Sequence, residues 1–233
     1  MRVARTVKEY DERYEEFLNV GQRLFYQKGY ARTSVQDIIR EIGVAKGLFY
    51  YYFPTKADLL DAIIERMTGQ ILQSLQPMID DPTLDAPTKL DQFFSRTQRW
   101  KLANREFLIE VMAVIYRDEN TVLRTKILAA TMPVVVPQLA KIIRQGNSEG
   151  VYDVAYPEEC AEIILEMGQA LALPVANLLL HGPPPGVTQE MALQALERRM
   201  LAYERSMERV LGAAPGSISI LTPAQLRTWF VTA

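Results

Sequence analysis

The sequence predicts an all-α protein of about nine helices, an N-terminal three-helix unit built around a helix-turn-helix followed by a larger helical bundle. Three observations predict it. Apolar residues recur at spacings of three and four along most of the chain, and no stretch shows the alternation of a half-buried strand. The composition, 48% apolar and 23% charged over 233 residues, supplies a substantial core. Gly43, Pro54, Gly150 and the Gly-Pro-Pro-Pro-Gly run at 182–186 punctuate the pattern where helices must stop.

The first helix reads from about Asp11 to Gln27, with Tyr14, Phe17, Leu18, Leu24 and Phe25 on one face and Gly29 behind it as a stop. A short second helix carries Val35, Ile38, Ile39 and Ile42. Thr33 or Ser34 caps it, with Gln36 or Asp37 completing a capping box. After Gly43, a third helix spans about Ala45 to Phe53, because Pro54 disfavours helical backbone at Phe53. Thr55 caps a fourth, which carries Leu59, Leu60, Ile63, Ile64, Met67 and Ile71 to about Gln76. Further helices are expected near 87–103, 105–117, 120–147, 157–180 and 188–211, with Pro133 and Pro137 kinking or splitting the third of these. The expected organisation is residues 1–56, 57–212 and a tail at 213–233.

Composition excludes several chemistries. A single cysteine, Cys160, forms no intramolecular disulfide, and with the single histidine, His181, it cannot close a structural zinc site. No catalytic constellation, metal site or cofactor is expected. The N-terminus has no apolar signal region, and the most apolar stretch, 170–180, contains Pro174 and Asn177 and is short for a bilayer, so a cytoplasmic protein without a membrane partner is expected. The net charge is −2, unevenly spread. Residues 1–56 hold 10 Lys/Arg against 7 Asp/Glu, and the remainder holds 16 against 21. A mildly basic front on an acidic body suits a nucleic-acid reader joined to something else.

Two short helices joined by a turn at Gly43 form the pattern whose second helix enters the DNA major groove. At 100° per residue, Ala45, Phe49, Tyr52 and Phe53 share the inward face of the third helix. The outward face is centred between Gly47 and Tyr51, flanked by Lys46, Tyr50 and Leu48. Tyrosine hydroxyls donate to phosphate, Lys46 supplies a cation, and Gly47 permits close backbone approach. Thr33, Ser34 and Lys56 place donors at two further helix N-termini, which favour anions.

Over residues 12–70 the chain resembles the tetracycline-repressor (TetR) family of transcriptional regulators. The resemblance rests on GY-x-x-TS-V-x-DI, G-V-x-KG-x-x-Y-x-YF and the following K-x-x-LL, in register. It implies a ligand-responsive repressor that binds a palindromic double-stranded DNA operator as a homodimer and is released by a small apolar or amphipathic effector. It also implies phosphate contacts from Thr33, Ser34 and Lys56, and a recognition helix lined by Lys46, Gly47, Leu48, Tyr50 and Tyr51. Ala45 and Leu48 depart from the family's commoner Ser and Thr.

In the body, Leu193, Leu196, Met200, Tyr203 and Met207 form a heptad seam, and Ala161, Gly168 and Ala172 are small residues that let helices approach closely. These eight are the expected dimer interface. Trp100, Phe107, Met112, Tyr116 and Met167 are the expected effector pocket, chosen from a Met- and aromatic-rich stretch of the bundle.

Overall fold

The computed structural model describes residues 2–116 and 121–230. Its ten helices, with no strand among the described residues, are α1 (Arg2–Lys28), α2 (Val35–Ile42), α3 (Lys46–Tyr52), α4 (Lys56–Ile79), α5 (Ala86–Ala103), α6 (Arg105–Ile115), α7 (Thr121–Ser148), α8 (Pro157–His181), α9 (Gln189–Leu211) and α10 (Pro223–Thr228). The expected ends of the sixth and seventh helices at 117 and 120, and residues 231–233, lie outside the described residues.

Four features differ from expectation. Helix α1 begins nine residues earlier than Asp11, at Arg2. Residues 2–10 contain neither Gly nor Pro and are mostly good helix formers, so the helix continues beyond its apolar stripe. Helix α7 keeps Pro133 and Pro137 inside one helix, so of the expected kink or split the split does not occur. Helix α8 extends to His181, and its 25 residues are long and apolar enough, by length and composition, to cross a bilayer. The apolar run reaches back through Ile163 and Ile164, which corrects the shorter estimate from 170–180. A tenth helix, α10, lies in the segment expected as a tail, where six residues leave no periodicity to read.

The chain divides into two compact units, residues 1–69 with 106–127 and residues 70–105 with 128–233. The first therefore reaches beyond residue 56 and includes the first half of α4. Its core joins Phe17, Leu18 and Phe25 of α1 to Ile38 and Ile39, Phe49 and Phe53, and Leu59, Leu60 and Ile63, all nearly inaccessible to solvent. A Cβ at Gly21 would stand 2.8 Å from Leu59 Cδ2, so α1 and α4 meet at a glycine. Arg66 of α4 donates to Glu15 and Asn19 of α1, both at 2.8 Å.

In the second unit, α5, α7, α8 and α9 share one core of Leu90, Phe93, Leu139, Ile142, Ile143, Ile164, Leu196 and Met207, among others. Ile218, Ile220, Leu221 and Leu226 of the segment after Gly212 belong to it, with Ala213 and Phe230 packed against it, and Trp229 is also buried. The buried Glu208 carboxylate accepts from the Gly216 and Ile218 amides at 2.8 and 3.2 Å. Arg227 holds α10 to α9 through Glu190 and Glu197.

Candidate nucleic-acid interface

Helix α2 starts at a complete capping box. The Asp37 amide donates to Ser34 Oγ at 3.1 Å, and the Ser34 amide donates back to Asp37 Oδ2 at 2.9 Å. Hydrogen bonds from the Ser34 hydroxyl and amide, aided by Lys28 and Arg40, hold the Asp37 carboxyl below the usual carboxylate range. The helix ends at Gly43, whose φ of +77° is left-handed backbone that glycine adopts without strain. Ala45 then begins α3 in extended conformation with no side-chain cap. The missing hydroxyl noted in the sequence is thus a missing cap as well as a missing donor.

The inward face of α3 is as expected at three positions. Phe49 is fully buried with its ring edge-on to Phe17 at 5.7 Å, and Phe53 is 2% exposed. Tyr52 is half-buried against Tyr10 and Phe17 at 4.7 and 5.4 Å. Ala45, grouped with them, is exposed. The outward face presents Lys46 and Gly47, with Tyr50 45% and Tyr51 71% exposed, and Leu48 half-buried beside them. Lys46 Nζ lies 5.7 Å from the Tyr50 ring centroid, within the range of a cation–π contact. Large aromatics are left in water here because the core has already been filled by Phe49 and Phe53.

Two expected phosphate contacts take other roles. Thr33 is fully buried, and its hydroxyl donates to the carbonyls of Gly29 and Leu24 at 2.9 and 3.2 Å. It closes the turn after α1 and has no surface to offer a phosphate. Lys56 Nζ donates to the carbonyls of Tyr30 and Thr33, both at 2.8 Å, and sits 4.1 Å from the Tyr30 ring centroid. Burial pulls its ammonium below the usual lysine range. Lys56 therefore ties the start of α4 to the turn that leads into α2. Ser34 remains exposed at the start of α2.

One residue of this surface went unforeseen. Tyr10 lies 6.1 Å from the Tyr51 ring and 4.7 Å from Tyr52, and is itself 40% exposed. Its spacing to Tyr14 and Phe17, four and then three residues, continues the apolar stripe of α1 and is the signal that marks it.

The expected pocket and interface residues are placed differently from the sequence reading. Phe107, Met112 and Tyr116 belong to the first unit, where Phe107 is 2% exposed core, while Trp100 and Met167 belong to the second. A cleft of about 670 Å³ in the second unit lies instead among Leu90, Phe94, Tyr152, Ala213 and Ile218, and none of the five lines it. Of the expected interface, Ala161, Leu193, Leu196, Tyr203 and Met207 are buried inside one protomer. The Tyr203 hydroxyl donates to the Ile164 carbonyl at 2.8 Å and lies 3.2 Å from a Cβ placed at Gly168. Met200 and Ala172 are half-buried. The heptad seam thus joins α9 to α8 of its own chain, because those two helices need the same apolar stripe to pack on each other. Among the described residues no three His, Cys, Asp or Glu side chains are grouped to hold a metal.

Residues 17–63 match the family described as bacterial regulatory proteins, tetR family, and residues 104–173 match the tetracyclin repressor-like C-terminal domain. The chain belongs to the tetR family. The two matches together take in half of this tetR-family chain. The transcriptional regulator TtgR of Pseudomonas putida is 35% identical over 65 residues, 28% of this chain and 31% of TtgR. EthR of Mycolicibacterium smegmatis is 30% identical over 89 residues, 36% of this chain and 41% of that one. The first curated relatives are thus matched over 31–43% of their length. Two solved structures share the fold: Thermus thermophilus FadR, in complex with lauroyl-CoA (TM-score 0.61, 16% identity, 83% of this chain and 94% of that one), and a tetR-family regulator from Pectobacterium atrosepticum (0.59, 20%, 88% and 96%).

Proposed function

We propose that this tetR-family protein is a ligand-responsive one-component transcriptional regulator, a cytoplasmic repressor that binds a palindromic DNA operator as a homodimer. The observation that carries the reading is the outward face of α3. A buried Phe49–Phe53 edge fixes the helix, and Lys46, Gly47, Tyr50 and Tyr51 stand in water on the other side. Lys46, Tyr50 and Tyr51 contact phosphates, Gly47 admits close backbone approach, Ser34 adds a donor at the start of α2, and Leu48 meets a thymine methyl.

Dimerisation is supported by what α8 and α9 leave uncovered. Only 17% of the most apolar window of α8 is buried in the protomer. Ile163, Glu166, Ala170, Leu173 and Asn177 form its exposed stripe at spacings of three and four. Met191 and Leu201 of α9 are 53% and 51% exposed. A second copy seated on these faces matches the two-fold symmetry of a palindrome. The effector is a small apolar or amphipathic molecule, a class supported by the lauroyl-CoA bound in the Thermus thermophilus structure. It releases DNA only to the extent that it prefers the non-binding state.

The test is fluorescence anisotropy with DNA from upstream of the protein's own gene, across salt, beside a Lys46→Ala/Tyr50→Ala variant. Tight, salt-dependent binding lost in the variant is expected, and no binding at any salt overturns the reading. Light scattering on Ile163→Glu/Leu201→Glu checks the dimer: the expected result is monomer, and an intact dimer places the interface elsewhere.

A further inference from the structure

We infer that the cleft in the second unit is a binding site for a small organic cation with an apolar body. Its walls are the first half of α5, the turn between α7 and α8, and the segment after α9. Such binding is separate from the reading of DNA by α3 and does not depend on it.

Three observations carry it. The first is size and lining. The cleft holds about 670 Å³, within the range of small-molecule sites. Leu90, Phe94, Val151 and Ile218 give it apolar walls for a hydrocarbon or aromatic body.

The second is that the walls are already fixed. The Val151 amide donates to the Gly146 carbonyl at 3.0 Å, and the Asp153 amide to the Leu211 carbonyl at 2.9 Å. The Gly216 and Ile218 amides are held by the buried Glu208 carboxylate. Gly212 has a φ of +66°, and a Cβ on it would stand 3.2 Å from the Asp153 nitrogen. The two turns therefore meet closely at a glycine, and the cleft stands open without a ligand to order it.

The third is charge. Asp91 is exposed at the cleft and makes no hydrogen bond or ion pair with the described residues. No lysine, arginine or histidine lines the cleft. Two cations of the adjoining elements are occupied. Lys89 Nζ donates to the Ile79 carbonyl and to Gln145 Oε1, both at 2.7 Å, and Arg205 pairs with Glu208 at 2.8 Å. An apolar cleft with one unpaired carboxylate and no counter-ion selects a cation over an anion, and an aromatic wall adds to that preference.

The experiment is isothermal titration calorimetry on the full chain at neutral pH and low salt. Three probes share one body: 4-phenylbutylammonium, 4-phenylbutanol and 4-phenylbutyrate. The variants are Asp91→Asn, which removes the charge, and Ala214→Trp, which fills the cleft from an exposed position. Circular dichroism melts check that both stay folded. The ammonium is expected to bind most tightly and the carboxylate most weakly. Asp91→Asn should weaken the ammonium about fivefold, the upper range for an exposed ion pair, and leave the alcohol unchanged. Ala214→Trp should weaken ammonium and alcohol alike. Equal affinity for ammonium and carboxylate, no binding of the ammonium, or wild-type ammonium affinity in either variant overturns the assignment. None of these results bears on whether α3 binds DNA.

Discussion

Replacing Lys56 by Met tests whether this lysine serves the fold or the DNA. The side chain donates two hydrogen bonds of 2.8 Å to the Tyr30 and Thr33 carbonyls and covers the Tyr30 ring at 4.1 Å. Hydrogen bonds from a charged donor net about 1.5–3 kcal/mol, and an exposed cation–π contact adds about 0.5–1 kcal/mol. The site is half-buried, so water recovers part of what the carbonyls lose. A loss of about 2 kcal/mol from the first unit is expected, since methionine keeps the apolar stem but no donor. Urea unfolding followed by circular dichroism reads the stability, and anisotropy across salt reads the DNA contact. The expected result is a lower unfolding midpoint with an unchanged salt slope. Unchanged stability with a slope shallower by about 0.9 would show that Lys56 holds a phosphate instead, and would refute the assignment.

Ala45→Ser should raise stability by about 1 kcal/mol by adding a side-chain cap to α3, where the Leu48 amide now donates to the Ala45 carbonyl at 3.0 Å; a denaturation midpoint that does not move would refute the gain. Gly146→Ala should destabilise by about 1–3 kcal/mol or more, because its Cβ would lie 1.9 Å from the Tyr152 ring. Adding Tyr152→Leu should recover part of that loss in a thermal melt, and failure to recover any of it would place the strain in the backbone. Hydrogen bonds from Arg227, then Gln194, hold the Glu190 carboxyl at about 2 rather than 4.5. Because the folded value is depressed, the α9–α10 clamp is at full strength above about pH 4.5 and is lost as pH falls towards 2. Trp229 fluorescence in a Trp100→Phe background should follow that loss, and Arg227→Gln should remove it; identical pH profiles would exclude the clamp.

Most of the secondary structure was legible in the chain because helices here declare themselves locally. Ser34 with Asp37, Gly43, and Phe53 before Pro54 are contacts or backbone limits within a few residues, and they bound α2 and α3 where the pattern says. The inward positions Phe49 and Phe53 and the outward Lys46, Gly47, Tyr50 and Tyr51 follow from 100° per residue alone. What depended on long-range packing was not legible. Thr33 and Lys56 look like phosphate donors in one dimension. Only the three-dimensional chain brings the Leu24 carbonyl to Thr33 and the Tyr30 carbonyl to Lys56, across nine and 26 residues. The seam of α9 is visible as a repeat, but a repeat does not name its partner, and the fold gives it to α8 of the same protomer. The segment after Gly212 is aperiodic, and it is held by Glu208, by Glu204 of α9, which accepts from the Ile220 amide at 2.7 Å, and by Arg227 of α10. Periodicity and caps are properties of neighbours along the chain, whereas the partner of a buried donor or an apolar stripe is chosen by whichever distant surface excludes the most water around it.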